Sequence, residues 1–135
     1  NKMKTKIKTF EDACNFLGKE AISPDPKLFG KHTTALYKLT VIIEARNKEA
    51  DPNFKVFDYN NWNQRKYFPW VDMEKTEENP SGFRLDSALC VSTLSCVGSR
   101  LCTISRELCV DVFEKHIDLY RDFMVKRVIN DKIEE

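Results

Sequence analysis

Most of the features that announce an activity are missing from this sequence. No apolar run approaches the roughly 18 residues of a membrane span, and no signal-peptide pattern opens the chain. The expectation is therefore a cytoplasmic protein with no membrane partner. Glycine is scarce, at four residues, and G-x-x-x-x-G-K-[ST], G-x-G-x-x-G and G-x-S-x-G are all absent. That removes the signatures of a P-loop, a dinucleotide site and a nucleophile elbow. Net charge is nearly absent as well: 22 Lys and Arg face 21 Asp and Glu, leaving +1. A dedicated nucleic-acid binder normally carries a clear basic excess, so only a local patch stays open. Histidine is limited to His32 and His116. The five cysteines (Cys14, Cys90, Cys96, Cys102 and Cys109) include no C-x2-C pair, so nothing resembles a zinc ribbon or finger. Their odd number cannot pair completely within one chain, which favours a reducing compartment and thiols that act as small buried hydrophobes. No metal, cofactor or catalytic residue is expected.

The 135 residues that remain to be read are 41% apolar and 32% charged, the composition of one globular domain. Thr9-Phe10-Glu11-Asp12 has the form of a helix start, Ala13, Cys14, Phe16 and Leu17 supply an apolar stripe, and Gly18 reads as the stop. Residues 22–31 contain Pro24, Pro26 and Gly30 and read as a loop. Leu36, Leu39, Ile42 and Ile43 mark a second helix over about 32–48, with Thr33 or Thr34 as its cap. Residues 54–58 alternate like a short strand, and Pro69 confines 67–70 to an edge strand or extended segment. Parity in 83–91, a turn at 95–99 and a return over 100–104 read as a β-hairpin. A last helix runs from Ser105 to about Val128, with Cys109, Val112, Phe113, Ile117, Tyr120, Phe123 and Met124 inward and Asp111 on the solvated side. The order predicts an α+β fold, three main helices packed on a small antiparallel sheet that includes a β-hairpin. Residues 1–8 are a basic arm or edge strand with Lys2, Lys4, Lys6 and Lys8, the domain is 9–128, and 129–135 is a polar tail.

One stretch concentrates recognition chemistry. Residues 54–70 hold seven of the 15 aromatics, and Trp62, Arg65, Lys66, Tyr67 and Trp70 combine stacking faces, positive charge and hydrogen-bond donors. The plainer reading is that these rings close the core beneath an irregular segment. Exposed rings would reverse that order, because exposed apolar patches mark partners. Gly98-Ser99-Arg100 with Ser105 could hold an anion, although a turn followed by a helix cap explains the same residues. A Cys109–His116 dyad would need a cleft and hydrogen-bond reach.

Four blocks, taken in order, resemble a family of small uncharacterised proteins encoded by phages, prophages and mobile elements of gut anaerobes of the Bacteroides type. They are Thr9 to Cys14, Tyr37-Lys38-Leu39 to Glu44-Ala45, Lys66-Tyr67-Phe68-Pro69-Trp70, and Val97 to Cys102 continuing through Phe123. The likeness covers most of residues 9–124 and implies a setting rather than a mechanism, since the family has no established activity. This chain departs from it in residues 86–96, which are rich in Ser, Cys and Leu where the family often places aromatics. The expectation is a non-enzymatic module that binds another protein through Trp62, Arg65, Lys66, Tyr67, Trp70 and Arg100. A nucleic-acid-binding accessory protein is the alternative, and an enzyme with an unrecognised site is the third reading. An apolar helix face or an unpaired strand edge would suit a homodimer.

Overall fold

The computed structural model describes residues 3–134, which leaves Lys2 outside the described part of the basic arm. Helix α1 (Phe10–Leu17) begins as its sequence requires. The Thr9 hydroxyl accepts from the Asp12 N–H at 3.1 Å, and the Asp12 carboxylate accepts from the Thr9 N–H at 3.2 Å, a reciprocal capping box. Gly18 ends the helix in the left-handed region at φ 71°. Phe16, counted in the apolar stripe, points to solvent instead. The expected loop over 22–31 contains a one-turn helix, α2 (Pro26–Phe29). Asp25 caps it and Pro26 occupies the first turn, where a missing N–H costs nothing. Helix α3 (Lys31–Ala50) follows, with Gly30 rather than Thr33 or Thr34 at its N-cap. Both hydroxyls are engaged elsewhere, donating to the Phe29 and Pro24 carbonyls.

The sheet forms by a longer-range pairing than the sequence implies. Strand β1 (Lys66–Asp72) pairs antiparallel with β2 (Arg84–Val91), from Lys66↔Val91 to Asp72↔Arg84, with a register shift between Trp70 and Val71. The hairpin is thus β1–β2, closed by the polar loop 73–83, and not 83–104. Asn79 is buried inside that loop and donates to the Asp72 and Glu74 carbonyls, which holds the loop shut. The expected return strand over 100–104 makes only the bridge Thr103↔Tyr67, on the other edge of β1, after a 3-10 turn at Ser99–Leu101. Residues 54–58 form no strand. Phe54 and Phe57 face inward together, ring centroids 4.8 Å apart, while Val56 is exposed. Strict alternation would have put Phe54 and Val56 on the same side.

The last helix is two helices. Helix α4 (Arg106–Lys115) and helix α5 (Ile117–Met124) meet at His116, whose φ of −123° and ψ of 31° leave the helical region. Ser105 caps α4 by accepting from the Leu108 N–H. Cys109, Val112, Phe113 and Tyr120 are buried as expected, whereas Met124 is exposed and Asp111 is buried. A two-strand hairpin, β3 (Val128–Ile129) with β4 (Lys132–Ile133), occupies what reads as the end of the helix and a polar tail.

Helix α3 is the centre of the molecule. Val41, Ile42 and Ala45 pack with Ile7, Phe10, Ala13 and Cys14. Leu39 and Ile43 pack with Phe83, Leu108, Val112, Phe113 and Tyr120. A third cluster of Phe57, Phe68 and Cys102 lies under the 54–59 segment. No described helix is long and apolar enough to cross a membrane.

Candidate recognition surface

The expected recognition residues divide into an interior group and an exterior group, and Lys66 divides them. It is fully buried, on the face of β1 that also carries Phe68. Its ammonium donates to the carbonyls of Asp58 at 2.7 Å, Ser92 at 2.5 Å and Asn61 at 3.4 Å. It also sits over the Tyr59 ring, 4.8 Å from the centroid. Lys66 is therefore not a contact residue, which corrects the sequence expectation. Its chemistry follows from burial: an ammonium taken from water needs donors' partners on every side. The carbonyls it gathers belong to two irregular segments, 58–65 and 92–98. One cation thus pins two loops to each other and to β1.

Trp62 stands on the first of those loops and Leu94 on the second, 72% and 78% exposed. They flank the carbonyls of Asn61 and Ser92, which converge on the same ammonium, so the two side chains rise from neighbouring backbone. Leu94 gave no signal in sequence, because an isolated leucine in a Ser-rich turn carries no periodicity. Trp70 lies on the face of β1 that holds Lys66 and Phe68, about 13 Å further along the strand. It is 53% exposed.

The opposite face of β1 carries a second set. Tyr67 pairs with Cys90 across the strands, and the neighbouring thiol, with burial, raises the phenol above its ordinary range. Arg65 is exposed and its Nη1 lies 3.9 Å from the Cys90 sulfur. The Arg106 guanidinium covers the Tyr67 ring at 5.5 Å and donates to the Ala88 carbonyl at 2.6 Å. Alternation along β1 therefore sends Tyr67 and its arginines away from Trp70. Arg100 is exposed on the 3-10 turn and lines a groove beside α3 rather than the Trp62 loops.

The interior holds its own polar chemistry. Arg46 is buried and donates to Asp111 at 2.6 Å. Asp111 also accepts from Lys115 at 2.9 Å and from the Met3 N–H at 3.1 Å. Burial alone would raise the Asp111 carboxyl, but the hydrogen bonds from Arg46, Lys115 and Met3 hold it below the usual carboxylate range. Beside this knot, burial and the Arg46 charge push His116 down to about 4. Burial pushes the Cys109 thiol up to about 12. Both groups are neutral near pH 7: the thiol is not the thiolate a nucleophile must be, and an imidazole of such low basicity is a poor acceptor for its proton. All five cysteines are free thiols, and among the described residues no three His, Cys, Asp or Glu side chains gather as a metal site. Comparison with protein families, curated proteins and solved structures returns no match.

Proposed function

We propose that this protein is a non-enzymatic binding module whose partner is another protein, engaged through the 58–65 and 92–98 loops with Trp62 and Leu94 as anchors. The observation that carries this reading is the exposure of both side chains on loops stiffened by one buried cation. Large apolar groups held in water on ordered backbone gain affinity, because little loop entropy is lost on docking. Tryptophan is also over-represented among the residues that dominate interface energy. The resemblance to proteins of phages and mobile elements directs the search to host and phage proteins in a cytoplasmic setting.

A photo-crosslinking residue at position 62, compared with one at exposed Glu114 on α4, tests the surface. The reading expects a defined adduct from position 62 alone. It also expects Trp62→Ala to weaken the isolated complex by about 30-fold, the ~2 kcal/mol of an interface hot spot. Equal crosslinking from both positions, or undiminished affinity of a folded Trp62→Ala protein, would overturn it. Binding to DNA that falls steeply between low and physiological salt would favour the nucleic-acid alternative instead.

A further inference from the structure

The second exposed feature is a groove of about 370 Å³ between α3 and residues 54–57, closed at one end by the 3-10 turn. Four separate parts of the chain meet there. Val41, Phe54 and Phe57 give it an apolar lining, and Lys19, Lys55 and Arg100 stand around it. None of these three cations has a salt-bridge partner among the described residues. Lys19 instead lies over the Tyr37 ring, 5.6 Å from its centroid. The groove's single acid, Glu44, is itself paired with Lys48 at 3.7 Å. In a chain whose charges nearly cancel, three unpaired cations around one groove of mixed polar and apolar lining are a local imbalance. They would attract an anion in water and hold it more firmly beside a low-dielectric wall.

From that complementarity we infer a binding site for a small amphiphilic anion, a single carboxylate or phosphate head on an apolar body. The head lies among Lys19, Lys55 and Arg100, and the body lies against Val41, Phe54 and Phe57. The volume is at the lower end of the range for small-molecule sites, which suits a medium-chain or one-ring body rather than a folded partner. Asn47, the buried polar residue of α3 that lines the groove, is already satisfied: it donates to the Cys102 carbonyl and accepts from the Ile104 N–H. Recognition of the head therefore falls to the three cations and to the Ser99 and Tyr37 hydroxyls. This site is separate from the Trp62 surface and stands or falls without it.

Decanoate and decyl phosphate are the probes, with decanol as the uncharged control and decyltrimethylammonium as the charge-reversed one. Titration of the full chain followed by backbone NMR is expected to give saturable shifts at Tyr37, Val56, Phe57 and Ser99 for both anions. Whichever anion binds tighter distinguishes a carboxylate from a phosphate head. The exposed-residue double variant Lys55→Ala/Arg100→Ala is expected to weaken anion binding at least tenfold while leaving the weak binding of decanol unchanged. Trp62→Ala is expected to bind the anions as the parent does. The inference is overturned if the anions produce no saturable shifts at the groove, if decyltrimethylammonium binds as tightly, or if a folded double variant keeps full affinity. Preferential binding of an acidic peptide over both anions also overturns it.

Discussion

A buried ammonium recovers its lost hydration only from acceptors the protein holds in place, and Lys66 recovers it from the carbonyls of Asp58, Asn61 and Ser92. Replacing it takes that donor from all three: Asp58 and Asn61 still accept from the Asn61 and Gln64 N–H groups, and Ser92 loses its ammonium partner. Lys66→Met keeps an unbranched side chain of similar length but removes the charge that sits over the Tyr59 ring, and is expected to destabilise the fold by about 3 kcal/mol in urea titration. The same variant is expected to loosen both loops, seen as faster amide exchange in 58–65 and 92–98 than in α1. An unchanged midpoint would mean that solvent reaches the site and supplies the lost donor. The position of Lys66 was partly legible. Two-residue alternation puts it on the same face as Phe68, but lysine is so seldom fully buried that its charge reads as exterior. Arg46 repeats the lesson on a helix: it lies three and four residues beyond Ile43 and Ile42, on the buried stripe, and its charge hides that in the sequence.

Local signals were accurate where a few adjacent residues decide the outcome. Thr9, Asp12 and Gly18 frame α1 as their chemistry dictates. Thr9→Ala is expected to cost about 1 kcal/mol through the lost cap. At Gly18 a Cβ would meet nothing within 4 Å, so Gly18→Ala is charged only for the left-handed backbone, about 1 kcal/mol. Thermal melts of the two single variants and of the pair should show losses that sum, since the changes lie at opposite ends of the helix. A pair far from additive would mean that α1 unravels when either end is loosened. Elements set by distant partners were less legible. The pairing of β1 with β2 spans an 11-residue polar loop whose closure depends on buried Asn79, and nothing near 66–72 encodes it. The break at His116 has no glycine or proline to mark it. The separate faces of β1, with Trp70 on one and Tyr67 on the other, became visible only once the strand's limits were fixed.

Across the whole molecule, the Arg46–Asp111–Lys115 knot joins the N-terminal segment, α3 and α4. The Lys115 ammonium donates to the Met3 carbonyl at 2.7 Å, and Glu49 accepts from Thr5 and Lys6, so residues 3–6 are fastened at both ends. His116 borders this knot, and its ionisation ties global stability to pH. Folding holds its pKa near 4, against 6.5 for a free imidazole. Between those values the unfolded chain binds a proton that the folded chain refuses. Stability is therefore fully present above pH 6.5 and declines as the pH falls toward 4, by up to roughly 3 kcal/mol. Arg46 and Lys115 make protonation there harder, and Asp111 opposes them only in part. Asp111, itself held below the usual range, gives up its share only at still lower pH. Urea titrations from pH 7 to 4.5 are expected to show the midpoint falling through this window, and His116→Gln is expected to flatten the fall. A parent protein whose midpoint does not move between pH 6.5 and 4.5 would mean that His116 takes up its proton without leaving the interior.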